Sequence, residues 1–278
     1  MEKELTNAEV KSVLLDVLAH IDKICRQHGI KYSVAYGTQI GAIRHQGFIP
    51  WDDDVDIMLL RDDYEQLIQI LKTEHNPQYV LLDETCSGYP YAFAKLCDRR
   101  TKLLEKDYVP VKDMGIYVDI FPFDEVPQKG TISSKFFWGI LLFLDRLHWC
   151  SGYQLSHLKH VDWAGWSHPL KTLIWIICWL IGRPINPSWA TRMMLNFTKR
   201  KYQSDYCGLI AFPGEIYKRT LFNDYCDVTF ENHQLMSIKA YDSFMRQEYG
   251  DYMKFPPVAE QIPKHGFCAT WREKNDET

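Results

Sequence analysis

Four aspartates fall within five positions at Asp52, Asp53, Asp54 and Asp56, and the last two lead into the apolar run Ile57-Met58-Leu59-Leu60. An Asp-x-Asp pair entering a strand places two carboxylates on one face, because strand side chains alternate with a period of two. Hard divalent cations take oxygen ligands, and Mg²⁺ commonly uses one or two carboxylates plus phosphate oxygens of the substrate. Asp54 and Asp56 are therefore read as metal ligands for chemistry on a phosphorylated donor, with Mg²⁺ as the expected ion and Mn²⁺ as the other candidate. An isolated acidic run is ordinarily a solvated loop. Here it adjoins a buried strand, where aspartate charge is costly unless something offsets it, and a cation does so. The phase leaves Asp52 and Asp53 to the loop or to the periphery of the site.

Two carboxylates seldom complete such a centre, so a third is expected from a neighbouring strand. Asp119 sits inside the otherwise apolar Ile116-Tyr117-Val118-Asp119-Ile120-Phe121, and is read as a metal ligand or general base. The competing role is a buried partner for an arginine. Asp124, just past that strand, is read as a turn or cap residue. Gly37-Thr38 ends the preceding strand at a helix start, where glycine admits close approach of a ligand and helix N–H groups attract phosphate. Arg44, whose guanidinium matches phosphate geometry, is preferred to His45 as the neutralising cation. Lys95, a lysine among apolar strand neighbours, is read as a phosphate ligand, with an edge-strand lysine as the alternative. His265 is read as a contact to phosphate or acceptor, against the ordinary reading of a solvated tail histidine.

Positioning these groups requires a helix–strand alternation. Thr6-x-x-Glu9 has the form of a capping box, and the apolar stripe from Val10 to Ile24 predicts a helix closed by Gly29. Strands are predicted at 30–36, 55–60, 79–82, 91–97 and 116–121. Short helices are predicted near 39–44 and after Asp62. From Thr131 the pattern is mostly helical until a hairpin near 221–230, and 232–249 is predicted as a helix stopped by Gly250. The fold class is α/β (α+β): a mixed sheet with flanking helices, then a mainly helical C-terminal part. The division is placed near Gly130, giving a catalytic core at 1–130 and a helical region with a site-completing tail at 131–278.

The whole chain sets bounds. Its 278 residues carry a net charge of −4, which gives no electrostatic reason to expect nucleic acid. Eight cysteines without a Cys-x-x-Cys pair fit reduced thiols in a cytosolic protein, and the charged N-terminus has no apolar signal core. Two apolar runs, FFWGILLFL at 136–144 and LKTLIWIICWLIG at 170–182, fall short of the ~18–20 residues of a spanning helix. They read either as buried core helices or as helices lying on a membrane surface, the second favoured by the tryptophans around them (Trp138, Trp149, Trp163, Trp166, Trp175, Trp179, Trp189).

The stretch Gly-Thr-x-x-Gly-Ala-x-Arg-His-x-Gly-x-Ile-Pro-Trp-Asp-Asp-Asp-x-Asp-Ile at 37–57 resembles the signature of the LicD family of bacterial phosphocholine transferases, and more distantly that of fukutin-related phosphosugar transferases. Val118–Asp124, Tyr249–Met253 and Pro256-Pro257 followed by His265 fit the same family. The zinc-binding cysteines of the fukutin-related proteins have no counterpart, and 136–189 carries no recognised family motif. The resemblance implies a nucleotidyltransferase-like fold in which Asp54, Asp56 and Asp119 are the metal-binding acids and Gly37-Thr38 the phosphate turn. It implies Mg²⁺-dependent transfer of phosphocholine from CDP-choline, or of ribitol or glycerol phosphate from another CDP-alcohol. The implied acceptor is a lipid-linked precursor of teichoic acid or lipopolysaccharide at the inner face of the plasma membrane. Two rivals stand beside this: a nucleotidyltransferase acting on a small molecule, and a non-catalytic, membrane-associated assembly factor. Choline calls for an aromatic box, but spacing does not select one among Tyr89, Tyr91, Phe93, Tyr108, Tyr117 and Phe121.

Overall fold

A computed structural model describes residues 3–105, 110–128, 130–152, 169–199, 204–211, 215–263 and 267–272. Helix α1 (Asn7–His28) opens on the reciprocal capping box of Thr6 and Glu9 and closes at Gly29, whose φ of 68° is left-handed. Its stripe from Val10 to Cys25 is buried against the sheet. The chain then runs through β1 (Ser33–Val34), α2 (Tyr36–Ile40), a π-helical turn at Gly41–His45, β2 (Asp56–Leu60), α3 (Arg61–Thr73), β3 (Tyr79–Leu82), β4 (Ala94–Asp98), β5 (Thr101–Glu105) and β6 (Tyr117–Glu125). Three helices follow, α4 (Ile132–Gly152), α5 (Pro169–Gly182) and α6 (Pro187–Thr198). Strands β7 (Tyr206–Leu209), β8 (Tyr217–Lys218), β9 (Tyr225–Phe230) and β10 (His233–Ile238), helix α7 (Tyr241–Tyr249) and strand β11 (Phe267–Trp271) complete it.

The main sheet is mixed, in the order β1-β2-β6-β4-β3, with β7 pairing the far half of β6 and β8 pairing β7. Only β2 and β6 are parallel, and the other ladders of this sheet are antiparallel. Thus the α+β class expected from the sequence is present, and the mainly helical stretch spans 132–198. Later residues return to the core. Strand β7 joins β6, β11 pairs β5, and the β9–β10 hairpin packs on β1.

Three local expectations change. The predicted helix over 232–249 is a strand up to Ile238 and a helix only from Tyr241. Glu231, at φ 52°, turns the chain there, and β10 pairs β9 residue by residue. The apolar spacing at Leu235, Ile238 and Tyr241 imitates a helical period, but Leu235 to Ile238 are all buried as a continuous strand. Asp124 is not a turn residue: it lies inside β6, and Arg61 clamps it through two bonds of 2.6 Å. Lys95 is not on an edge, because β4 lies between β6 and β3.

Candidate active site

The sheet order brings the chemistry together. In the parallel β2–β6 ladder Asp56 lies opposite Asp119, and in the antiparallel β4–β6 ladder Lys95 lies opposite the same Asp119. Residues in register point to one face, so Asp56, Asp119 and Lys95 form a row across three central strands. All three are buried. Lys95 Nζ donates to Asp119 Oδ1 at 2.7 Å, and stands over the rings of Tyr117, Tyr91 and Phe93 at 3.4, 4.4 and 5.2 Å from their centroids. Lys95 therefore has a carboxylate partner and an aromatic cage where the sequence suggested phosphate. The arginine considered for Asp119 belongs to Asp124.

Asp54 lies just before β2, in the loop that the glycine-rich motif shapes. Asp52, Asp53 and Asp54 bring one carboxylate oxygen each to within 4.8 Å of one another. Asp52, Asp54 and Asp56 all line one cleft of about 560 Å³, together with Tyr36, Gly37 and Arg44. Asp52 is thus closer to the chemistry than its strand phase implied. Burial pushes the Asp56 carboxyl well above the ordinary aspartate value, and the negative charges of Asp54, Asp119 and Asp52 push it further, while Lys95 opposes them. Carboxylates crowded in this way are a donor set that a hard divalent cation fits, since cationic charge removes the repulsion and oxygen is its preferred ligand.

The motif loop is held from several directions. Thr38 is buried, and its Oγ1 accepts the Asp56 N–H at 2.9 Å, while the Ala35 N–H donates to the Asp56 carbonyl. Thr38 therefore fixes the start of β2 rather than exposing its hydroxyl to a ligand. A Cβ at Gly37 would sit 2.6 Å from Asp52 Oδ2, so a side chain there would displace the Asp52 carboxylate. Lys11 Nζ donates to the Ile49 and Pro50 carbonyls, and Glu231 accepts the Phe48 N–H from the hairpin turn. Tyr36 has φ 45°, unusual for a large side chain, and its hydroxyl donates to Glu215 Oε2 at 2.5 Å. Burial, reinforced by the charge of Glu248, pushes the Glu215 carboxyl up to about 7, against the lowering effect of that hydrogen bond.

Arg44 lies in the cleft wall, with Nη1 donating to the Tyr252 carbonyl at 2.8 Å and the guanidinium 4.6 Å from the Phe255 ring. The remaining wall comes from sequence some 200 residues away: Tyr249, Tyr252 and Phe255, facing Trp51. Trp51 and Phe255 have their ring centroids 6.4 Å apart. None of these rings was among the sequence candidates for an aromatic box, although Trp51 stood in the motif itself. Three of those candidates, Tyr91, Phe93 and Tyr117, instead surround Lys95. His265 and Tyr108 lie outside the described residues. A larger groove of about 1280 Å³ runs past Lys72, Arg99 and Arg100, but none of the motif aspartates lines it.

Comparison with known proteins agrees with this geometry. Residues 29–149 match the family described as LicD/FKTN/FKRP, nucleotidyltransferase domain. The chain is 28% identical over 280 residues to the lipopolysaccharide cholinephosphotransferase LicD of Haemophilus influenzae, covering 95% of this chain and 97% of that protein, so the likeness extends well beyond the motif loop. Shorter matches at 33% identity join it to uncharacterized proteins of Rickettsia typhi, over 34% of this chain and 33% of the relative, and Rickettsia prowazekii, over 41% and 40%. Residues 29–149 thus match a nucleotidyltransferase domain of the LicD/FKTN/FKRP type, within a chain that is similar along nearly its whole length to a LicD cholinephosphotransferase.

Proposed function

We propose that this protein is a phosphotransferase that moves phosphocholine from CDP-choline to a sugar hydroxyl of a lipid-linked surface-glycan precursor and releases CMP. The acceptor is a precursor of teichoic acid or lipopolysaccharide, met at the inner, cytoplasmic face of the membrane. The observation that carries the reading is the row Asp56–Asp119–Lys95 beside a cleft lined both by the acids Asp52, Asp54 and Asp56 and by the rings of Trp51, Tyr249, Tyr252 and Phe255. Acids suit a metal–diphosphate, and ring faces suit a quaternary ammonium. The full-length similarity to a cholinephosphotransferase supports the same donor.

Asp54, Asp56 and Asp119 are the residues assigned to Mg²⁺, or to Mn²⁺ in its place. When bound, the ion supplies charge that offsets the diphosphate and the departing CMP. The protein's own groups do the rest. Trp51, Tyr249, Tyr252 and Phe255 hold the trimethylammonium end, and Arg44 lies on the same wall to meet phosphate oxygen. Gly37 leaves room in the cleft for the Asp52 carboxylate. The acceptor oxygen attacks the choline-bearing phosphorus, a new P–O bond forms, and the bond to the CMP oxygen breaks. Asp119, oriented by Lys95, or another acid beside it takes the hydroxyl proton. Lys95 acts here by positioning Asp119. His265 keeps its sequence-based assignment to phosphate or acceptor.

Asp54→Ala and Asp56→Ala test the reading directly. Each is expected to lose at least about a hundredfold in Mg²⁺-dependent turnover while keeping the wild-type circular dichroism spectrum. Wild-type turnover in either purified variant would overturn the metal assignment.

A further inference from the structure

Helices α4, α5 and α6 leave apolar side chains in solvent at helical spacing. On α4 these are Ile132, Phe136 and Phe143, the last two 73% and 67% exposed. On α5 they are Leu173, Ile177 and Leu180, and on α6 Trp189 and Met193. The spacings of three, four and seven residues put each set on one side of its helix. The opposite sides of α4 and α6 are already used. Phe137 and Leu141 of α4 and Met194 and Leu195 of α6 are buried in the core, Phe137 stacks on Phe197 at 5.2 Å, and Ser188 Oγ donates to the Cys86 carbonyl. The outward rows are therefore surplus to the fold.

Charge says what covers them. Residues 131–200 contain eight Lys or Arg and two Asp, leaving 24 Lys or Arg and 34 Asp or Glu for the rest of the chain. Helices α5 and α6 contain no acid, and the one acid of α4, Asp145, is buried. Exposed Lys135 and Arg146 flank the α4 row, and exposed Arg183 and Arg192 lie beside those of α5 and α6. The segment that carries the exposed apolar rows is thus net positive, eight Lys or Arg against two Asp, in a protein that is acidic elsewhere. Among the described residues no helix is long and apolar enough to cross a membrane.

We propose that the outward faces of α4, α5 and α6 form a docking surface that lies on an anionic lipid bilayer. Apolar side chains enter the boundary between headgroups and acyl chains, and the surrounding Lys and Arg meet anionic headgroups. The inference rests on exposure and charge alone, not on the identity of donor or acceptor.

The test is sedimentation of the full chain with vesicles, either phosphatidylcholine alone or phosphatidylcholine with about a quarter phosphatidylglycerol. Binding is expected to the anionic vesicles, weaker by at least about tenfold on neutral ones or in high salt. The variant F136E/F143E alters only exposed side chains, and should lower the anionic partition coefficient by at least about tenfold. The charge variant K135E/R146E should do the same while leaving the apolar row intact. Both should keep wild-type circular dichroism, and wild-type CMP release with a water-soluble acceptor if the proposed chemistry holds. Equal binding to both vesicle types, no binding, or unchanged partition of the variants would overturn the proposal. So would a dimer in lipid-free solution, seen by light scattering, that F136E/F143E dissolves, because the face would then belong to a second copy. Failure of CMP release in wild type with vesicle binding intact would count against the chemistry and not against this surface.

Discussion

Lys95 is the cation on which the central row depends, and its removal has a calculable cost. Lys95 is 2% exposed and Asp119 9%, and their 2.7 Å pair lies in the middle of the sheet. Replacing Lys95 by Met keeps a long apolar stem against Tyr91, Phe93 and Tyr117 but removes the ammonium. The Asp119 carboxylate is then left in place opposite Asp56, in a site that is already negative. Breaking one side of a buried pair costs about 3–5 kcal/mol. At roughly 2–4 °C per kcal/mol for a chain of this class, Lys95→Met should melt about 6–20 °C below wild type. The double variant K95M/D119L removes both charges, and should recover most of that loss. Calorimetry and urea titration of the three proteins decide this. A Lys95→Met loss under about 1 kcal/mol, or a double variant less stable than the single one, would refute the assigned role.

Other outcomes follow from single contacts. Thr38→Val deletes the acceptor of the buried Asp56 N–H, and should cost about 1–3 kcal/mol in urea unfolding, with Thr38→Ser close to wild type. Trp51→Ala and Phe255→Ala should each raise KM for CDP-choline about 5- to 30-fold, the equivalent of about 1–2 kcal/mol of cation–π attraction, and leave KM for CDP-glycerol nearly unchanged in steady-state assays. Glu215 carries a pH signature: its carboxyl rises from 4.5 to about 7 on folding, so the folded state holds the extra proton between those values. The unfolding free energy should therefore fall as pH rises through that window, and Glu215→Gln should remove this component of the slope.

The sequence made parts of this site legible for definite reasons. Asp54, Asp56 and Asp119 stood out because charged residues beside or inside apolar strand runs demand compensation, and helix α1 announced both of its ends. What stayed hidden was non-local. Neither the partnership of Lys95 with Asp119 nor the clamp of Arg61 on Asp124 can be read before β4 and β2 are known to flank β6. The aromatic wall needed Trp51 to meet a segment some 200 residues later, across strands whose pairing no local pattern encodes. The strand β10 was concealed by a coincidence of period, since a fully buried strand and a helix face share an apolar spacing of three. Misplacing it also hid a support of the motif, because this hairpin packs Phe230 against Phe48, accepts from Gln39 Nε2 at Ser237 Oγ and accepts the Phe48 N–H at Glu231.

The central claim is that the acidic cleft transfers a phospho-alcohol and not a nucleotide. The measurement that tests it most directly is mass spectrometry of the products formed from a panel of CDP-alcohols with Mg²⁺ and a sugar acceptor, for wild type and Asp56→Asn. CMP is expected together with an acceptor heavier by phosphocholine, from CDP-choline in preference to CDP-ribitol or CDP-glycerol, and neither product from Asp56→Asn. Release of pyrophosphate from CTP with a nucleotide joined to the acceptor, and no CMP from any CDP-alcohol, would contradict it.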